Sequence, residues 1–316
     1  MGFKDKSGDI KTLIQDDHQY MSDCMHFFNS FSRKTSTYKY ALFKAILDNL
    51  FNVDQDYRLS FSYLAYSFSK MYWNLVCKYQ LPQFQSGRKS LIEIQIDAMM
   101  ANKPQIQGID FDSLHVEIQR AYLSKTSFII SKDVMGALYD ELNQSIYGFS
   151  KARKEIYFSK SSYKFLMKYK SALEDLNYYA WILWMENILK KREKEEGNLA
   201  IKLDESTKRE SLEAYKKDLI VRGDELRCFY CGKVVTSCYC HMDHFIPWSF
   251  VKDDQEWNLV FSCPHCNESK NNKLPNINPY LNKLITRNEH ILHNSYEQRL
   301  RLLYQSAQYN GLTLWI

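Results

Sequence analysis

The reading of this chain turns on two short stretches, Cys228-Phe229-Tyr230-Cys231 and Cys263-Pro264-His265-Cys266. Each Cys-x-x-Cys pair can set two thiolates on one zinc ion, and two pairs complete a tetrahedral site. The 31 residues between Cys231 and Cys263 exceed the common gap of a zinc ribbon, so a segment is inserted between two knuckles. Cys228, Cys231, Cys263 and Cys266 are therefore expected to hold a structural Zn²⁺; the plainer alternative is four buried thiols with no ligand. Cys238 and Cys240 form a Cys-x-Cys that competes with one pair, though both read more simply as small strand residues. Cys24 and Cys77 stand apart and read as core.

The inserted segment has its own pattern. Residues 239–246 read as a strand, 247–256 as a loop, 259–262 as a return strand and 266–273 as a short helix stopped by Pro275. That is a β-β-α unit fastened at both ends by cysteines. Asp243 and His244 are adjacent, and neighbours on a strand point to opposite faces. A bend at the strand end is needed to bring both to one site. A carboxylate is a hard ligand suited to Mg²⁺ or Mn²⁺. A neutral imidazole suits a general base near pH 7.

Working outward, the first two hundred residues differ in character. Only two of the six prolines, Pro82 and Pro104, precede residue 240, and few breakers favour long helices. Leu42, Ile46 and Leu50 share a helical face behind Thr35-Ser36-Thr37. Leu64, Phe68, Met71 and Leu75 form a second face, and Leu166, Tyr169, Leu173 and Leu176 a third. The third helix is expected to end in the charged run 190–196. Thr207 with Glu210 fits a capping box for one more helix. Residues 128–130 and 156–158 look strand-like. A domain boundary is expected within 197–223.

Composition narrows the function classes without choosing one. The net charge of +5 and the sequence pI near 8.6 permit a polyanionic partner but do not require one. Aromatic residues are 15% of the chain, which serves packing before base stacking. Residues 1–13 lack the apolar core of a signal peptide, and the longest apolar run, 178–185, is far short of a membrane span. A cytoplasmic location with reduced cysteines is expected, which favours metal ligands over disulfides.

At this point the residues resemble a known family. The stretches from Asp243 to Ser249, from Trp257 to Val260 and from Cys266 to Lys273 resemble the HNH endonuclease motif, in the form whose third signature residue is Asn. The resemblance covers about 50 residues and implies an α+β fold. A mainly α-helical N-terminal domain over 1–200 would precede a small zinc-bound ββα-metal nuclease domain over 201–316, with its core motif in 228–275. Carried across by position, it implies that His244 is the general base and that Asp243 and Asn272 hold a catalytic Mg²⁺ or Mn²⁺. It implies that Asn258 pins the loop that orients His244. Asn271 and Asn267 stand as alternatives to Asn272 if the register shifts. Lys270 and Lys273 are expected at neighbouring phosphates. His241 and His265 are left without a role, and Asp253 with Asp254 reads as a solvated loop.

The implied activity is hydrolysis of DNA phosphodiester bonds, in bacterial restriction or anti-phage defence. Two other readings stay open: a catalytically silent, zinc-stabilised nucleic-acid-binding module, and an RNase using the same site. The N-terminal domain is expected either to read substrate or to dock a partner protein. For the first role, Arg33, Lys34 and Lys39, or Lys151, Arg153 and Lys154, are the candidate phosphate contacts. One active site per chain would favour a homodimer if both strands are cut.

Overall fold

The computed structural model describes residues 6–11, 16–29, 34–85, 88–192, 197–207, 212, 215–217, 220, 226–237, 239–252, 254–289 and 296–315. The chain divides into two units, Met1–Lys208 and Arg209–Ile316.

The helices of the first unit are α1 (Asp17–Phe28), α2 (Tyr38–Asp48), α3 (Phe61–Trp73), α4 (Leu91–Asn102), α5 (Val116–Ile129), α6 (Met135–Glu141), α7 (Lys160–Lys191) and α8 (Leu199–Glu205). The core is built around α2, whose residues from Tyr40 to Asp48 are all buried. A helix buried on every side needs neighbours on every side. Here α3, α6 and α7 supply them. Leu42, Ile46 and Leu50 are fully buried, as are Leu64, Phe68 and Leu75, with Met71 at 1% exposure. Leu75 lies in a π-helical turn, Asn74–Lys78, that extends α3. On α7, Leu166 and Leu173 are buried while Tyr169 and Leu176 are half-buried.

Local chemistry explains where these helices start. Ser90 and Glu93 satisfy each other's backbone N–H groups in a capping box at α4, and Ser159 with Ser162 does the same at α7. Thr207 turns back instead, its hydroxyl donating to the Asp204 carbonyl at 2.8 Å. Its expected capping partner, Glu210, lies outside the described residues. Among the described residues of this unit, Lys44 and Lys170 are fully buried. Lys44 on α2 pairs with Asp48 and, at 3.1 Å, with Glu174 of α7, and Lys170 reaches Glu174 at 3.3 Å.

A small antiparallel sheet completes the unit, with strands β1 (Ser7–Gly8), β2 (Arg58–Ser60), β3 (Gly148–Ser150) and β4 (Glu155–Tyr157) in the order β1-β3-β4-β2. The strand expected near 156–158 is β4, and its hairpin partner is β3, with Phe149 opposite Ile156. Residues 128–130 are not a strand. They close α5 and enter a π-helical turn, Ile130–Val134. The buried positions Tyr122, Thr126, Ile129, Ile130 and Val134 recur at three- and four-residue spacing, while Phe128 is 65% exposed. A three-residue apolar run cannot by itself distinguish strand from helix.

The second unit contains the β-β-α arrangement. Strand β5 (His241–His244) pairs antiparallel with β6 (Leu259–Ser262), placing Asp243 opposite Val260 and His244 opposite Leu259. The strand β5 is shorter than expected at both ends. The connection carries a one-turn helix, α9 (Trp248–Val251), where a plain loop was expected. Helix α10 (Pro264–Lys270) starts earlier than predicted and stops earlier. Cys263 is its N-cap and Pro264 sits in its first turn, where a missing N–H costs nothing. Asn271, at φ 45°, ends it. Pro275 therefore does not stop a helix. It lies in β7 (Leu274–Pro275), which pairs parallel with β8 (Leu314–Trp315). Helices α11 (Asn282–Asn288) and α12 (Tyr296–Tyr309) follow β7 in the chain. On α11, Arg287 donates to the carbonyls of Leu259 at 2.6 Å and Trp257 at 3.1 Å.

Candidate active site

The second unit contains the cysteine cluster. The sulfurs of Cys228, Cys231, Cys263 and Cys266 all lie within 4.8 Å of one another. The Sγ atoms of Cys231 and Cys263 are 3.9 Å apart. Four sulfurs at about 2.3 Å from one zinc stand roughly 3.8 Å apart at the corners of a tetrahedron. The donor set and its spacing therefore fit Zn²⁺. The first knuckle is closed by backbone bonds from Gly232 N–H to Cys228 O, 2.9 Å, and from Cys228 N–H to Lys233 O, 2.8 Å. Gly232 adopts φ +73°, the left-handed region glycine enters at little cost. Burial alone would push the Cys228 thiol up, but backbone groups at Cys231, Cys263 and Tyr230 bring it down to about 6. Burial pushes the Cys266 thiol up, reinforced by its sulfur neighbours. Four crowded sulfurs resist carrying four negative charges unless a cation joins them. Cys240 is buried beside the strand and is not part of this group. Cys238 lies outside the described residues. Cys24 and Cys77 are buried in the first unit.

The second knuckle leads directly into chemistry. Helix α10 lies along β5, and two contacts fix its register. Asn267 Nδ2 is 3.1 Å from His241 Nδ1, and Lys270 Nζ donates to Asp243 Oδ1 at 3.1 Å. Lys270 also reaches Asp243 Oδ2 at 3.0 Å and donates to the His244 carbonyl at 2.7 Å. The Tyr230 hydroxyl donates to the same Oδ2 at 2.5 Å. Burial, then the Asp243 carboxylate, hold the Tyr230 phenol well above its ordinary value, so it remains a donor. Burial lowers Lys270, and its ion pair with Asp243 works against that shift.

His244 is turned elsewhere. It is 4% exposed, and its Nε2 lies 2.8 Å from Asp254 Oδ1. Asp254 was expected to be a solvated loop residue; the loop instead folds back so that its carboxylate meets the imidazole. Asp253 lies outside the described residues. Asn258, fully buried, clasps the Ile246 backbone from both sides. Its Oδ1 accepts from Ile246 N–H and its Nδ2 donates to Ile246 O, both at 2.8 Å.

Asn272 is exposed, and its Oδ1 accepts from the Ser249 hydroxyl. Asn267, held open as an alternative on sequence grounds, is the asparagine on the helix face that meets β5. Lys270 is fully buried, so it does not face solvent phosphates, whereas Lys273 is exposed. In the first unit Lys34 is also buried, donating to Phe27 O at 2.5 Å, which removes it from the surface. Lys39 pairs with Glu141, and Arg33 lies outside the described residues. Arg153 and Lys154 are exposed, with Arg153 2.9 Å from Glu155.

Three residues of this network were not placed in it by the sequence reading: Tyr230, Asp254 and Lys270 in its buried position. Lys270 was accessible in principle, because it stands four residues after Cys266 and shares its helix face. Nothing in the spacing marks Tyr230 or separates Asp254 from Asp253.

This geometry belongs to a recognised class. Residues 228–276 match the HNH endonuclease family, and the chain carries an HNH endonuclease domain there. Over 214 residues the chain is 24% identical to the CRISPR-associated endonuclease Cas9 of Actinomyces naeslundii, an alignment covering 55% of this chain and 19% of that protein. The chain thus spans less than a fifth of that relative's length. The second unit is about a third of the chain, so the alignment also takes in residues of the first unit. No solved structure matches the chain.

Proposed function

We propose that the chain is a divalent-metal-dependent endonuclease that hydrolyses phosphodiester bonds of DNA, with His244 as general base, in a bacterial defence role like that implied by its relative's name. The observation that carries this reading is the His244–Asp254 pair, 2.8 Å apart, beside Asp243 in a domain that matches HNH endonucleases. A general base needs a partner that fixes its tautomer and orientation. With Nε2 turned toward Asp254, Nδ1 would be the atom of His244 that acts as base. That atom would take a proton from the attacking water as the water oxygen bonds phosphorus, the bond to the 3′ oxygen breaks and the departing 3′ oxygen takes a proton from solvent. Asn258, by clasping Ile246, holds the chain two residues beyond His244 and so supports its orientation.

Asp243 would hold the catalytic ion. A carboxylate offers about four lone-pair directions, and the bonds from Lys270 and Tyr230 leave room for one more partner. When bound, Mg²⁺ or Mn²⁺ supplies Lewis-acid stabilisation of the charge that builds on the phosphate oxygens. Asn272 is the companion ligand that the family resemblance implies. The contact between Asn267 and His241 favours a second assignment, because His241 and Asp243 share a strand face and Asn267 meets that face.

Lys273, Arg153 and Lys154 remain as exposed cations for phosphate positioning. The zinc cluster holds the ββα unit together, since a small domain with little core relies on such staples. The first unit supplies substrate choice or partner docking.

The test is direct. Purified chain is incubated with supercoiled plasmid and with RNA, with EDTA, Mg²⁺ or Mn²⁺. Plasmid nicking that needs a divalent ion supports the reading. Cleavage of RNA alone makes the chain an RNase. Retention of either nucleic acid without cleavage under any ion makes it a binding module.

A further inference from the structure

Tyr230 stands between the paired cysteines of the first knuckle, next to Cys231. It is 7% exposed, and its ring meets Tyr280 and Trp315 edge-on at centroid separations of 5.4 and 5.1 Å. Its hydroxyl ends on Asp243 Oδ2. The backbone just before it is held: Phe229 N–H donates to Phe261 O on β6 at 2.7 Å, and Lys283 donates to Phe229 O. The ring contacts and the hydroxyl's bond to Asp243 hold the phenol in this position.

We propose that Tyr230 is a positioning residue that ties the cysteine cluster to the Asp243 carboxylate, so that ordering of the first knuckle sets how well the domain captures its catalytic divalent ion. This rests on the reading of Asp243 as a ligand of that ion. A ligating carboxylate must present a lone pair in a fixed direction. Groups that hydrogen-bond a ligand fix that direction, and losing one typically costs ~10–100-fold in metal affinity or activity. Lys270 also bonds Asp243, but it reaches both oxygens and so leaves rotation about the carboxylate's long axis open. Tyr230 bonds a single oxygen and removes that freedom.

The experiment uses the full-length, zinc-containing protein. Cleavage rate is measured against Mg²⁺ concentration for wild type and Tyr230→Phe, with zinc content and melting followed in parallel. Tyr230→Phe keeps the ring packing and removes only the hydroxyl. We expect zinc content to hold and the half-saturating Mg²⁺ concentration to rise by ~10-fold or more, with most of the rate recovered at saturation. A merely structural role would lower the rate at every Mg²⁺ concentration or leave it alone, without moving the midpoint. An unmoved midpoint overturns the inference. Mn²⁺ affinity is measured in the His244→Ala background with and without Asp243→Ala. If Asp243→Ala leaves Mn²⁺ binding unchanged, the ligand reading of Asp243 falls and the inference falls with it. If Asp243→Ala weakens binding while Tyr230→Phe does not, the inference alone fails. Should Tyr230→Phe lose zinc, 3-fluorotyrosine placed at position 230 retains ring and hydroxyl but alters donor strength. A displaced midpoint then supports the inference, and an unchanged one overturns it.

Discussion

His244 and Asp254 form a pair whose removal should separate chemistry from folding. His244→Ala is expected to slow cleavage by ~10²–10⁴-fold while melting and DNA binding stay close to wild type. Wild-type turnover in that variant would remove His244 from the mechanism. Asp254→Asn should fall between wild type and His244→Ala, because the imidazole keeps its place but loses the carboxylate that orients it. Asn258 should behave differently. Asn258→Ala leaves the Ile246 N–H and carbonyl without their partner in a buried site, at a cost of about 1–3 kcal/mol for an unsatisfied group. The expected signature is a lower melting temperature with a loss of rate, and unchanged melting would refute the clasp. The two lysines after Asn267 should also part ways. Lys273→Ala should weaken DNA binding in a salt-dependent manner without altering melting. Lys270→Met removes the buried cation from Asp243 and should destabilise the domain.

At the scale of the element, α10 shows how one short helix serves two sites. Its N-cap, Cys263, and its first-turn Cys266 belong to the cysteine cluster, and its Asn267 and Lys270 meet β5. Turns of 3.6 residues bring Cys266, Asn267 and Lys270 to adjoining faces. Cys263→Ser should therefore lower zinc content and thermal stability together, since metal binding and local folding are coupled. Metal-free protein with unchanged melting would refute the zinc assignment. In the first unit the corresponding test falls on α2. Lys44 is fully buried against Asp48 and Glu174. Lys44→Met takes the ion-pair partner from Asp48 and leaves Glu174 with Lys170 alone, and breaking such a buried pair costs about 3–5 kcal/mol. Loss of helical signal at markedly lower denaturant concentration is the expected result.

For the whole molecule, the proposed division of labour is a helical unit that selects and a ββα unit that cuts. Every residue assigned to chemistry lies in Arg209–Ile316. A fragment beginning near residue 203 or 221 and running to the end is expected to fold with about one zinc and to retain weak, unselective, metal-dependent nicking. Fragments that fold and bind zinc but do not cleave under any divalent ion would show that the first unit contributes to the active site. The alignment to the Actinomyces naeslundii Cas9 extends into the first unit, which makes that outcome a pointed test rather than a formality. Among the described residues, no helix is long and apolar enough to cross a membrane.

The sequence by itself determined the cysteine cluster, both strands of the ββα unit and three helical faces of the first unit. These features are written locally: Cys-x-x-Cys spacing, short apolar runs between turn residues, apolar residues every three to four positions. Spacing failed where local signals were too short, as at residues 128–130, where three apolar side chains fit either period and the packing of α5 decided. It failed again at Pro275, whose missing N–H is as compatible with a strand end as with a helix stop. Only the tertiary structure chose Asp254 to meet His244, buried Lys270 against Asp243, and turned Tyr230 from one knuckle toward the carboxylate. Each of those contacts joins residues from different elements, with separations set by how the knuckles, β5 and α10 pack rather than by any repeat along the chain. Burial then converted polar side chains of ordinary appearance into an ordered network, because a buried donor or acceptor left without a partner is costly.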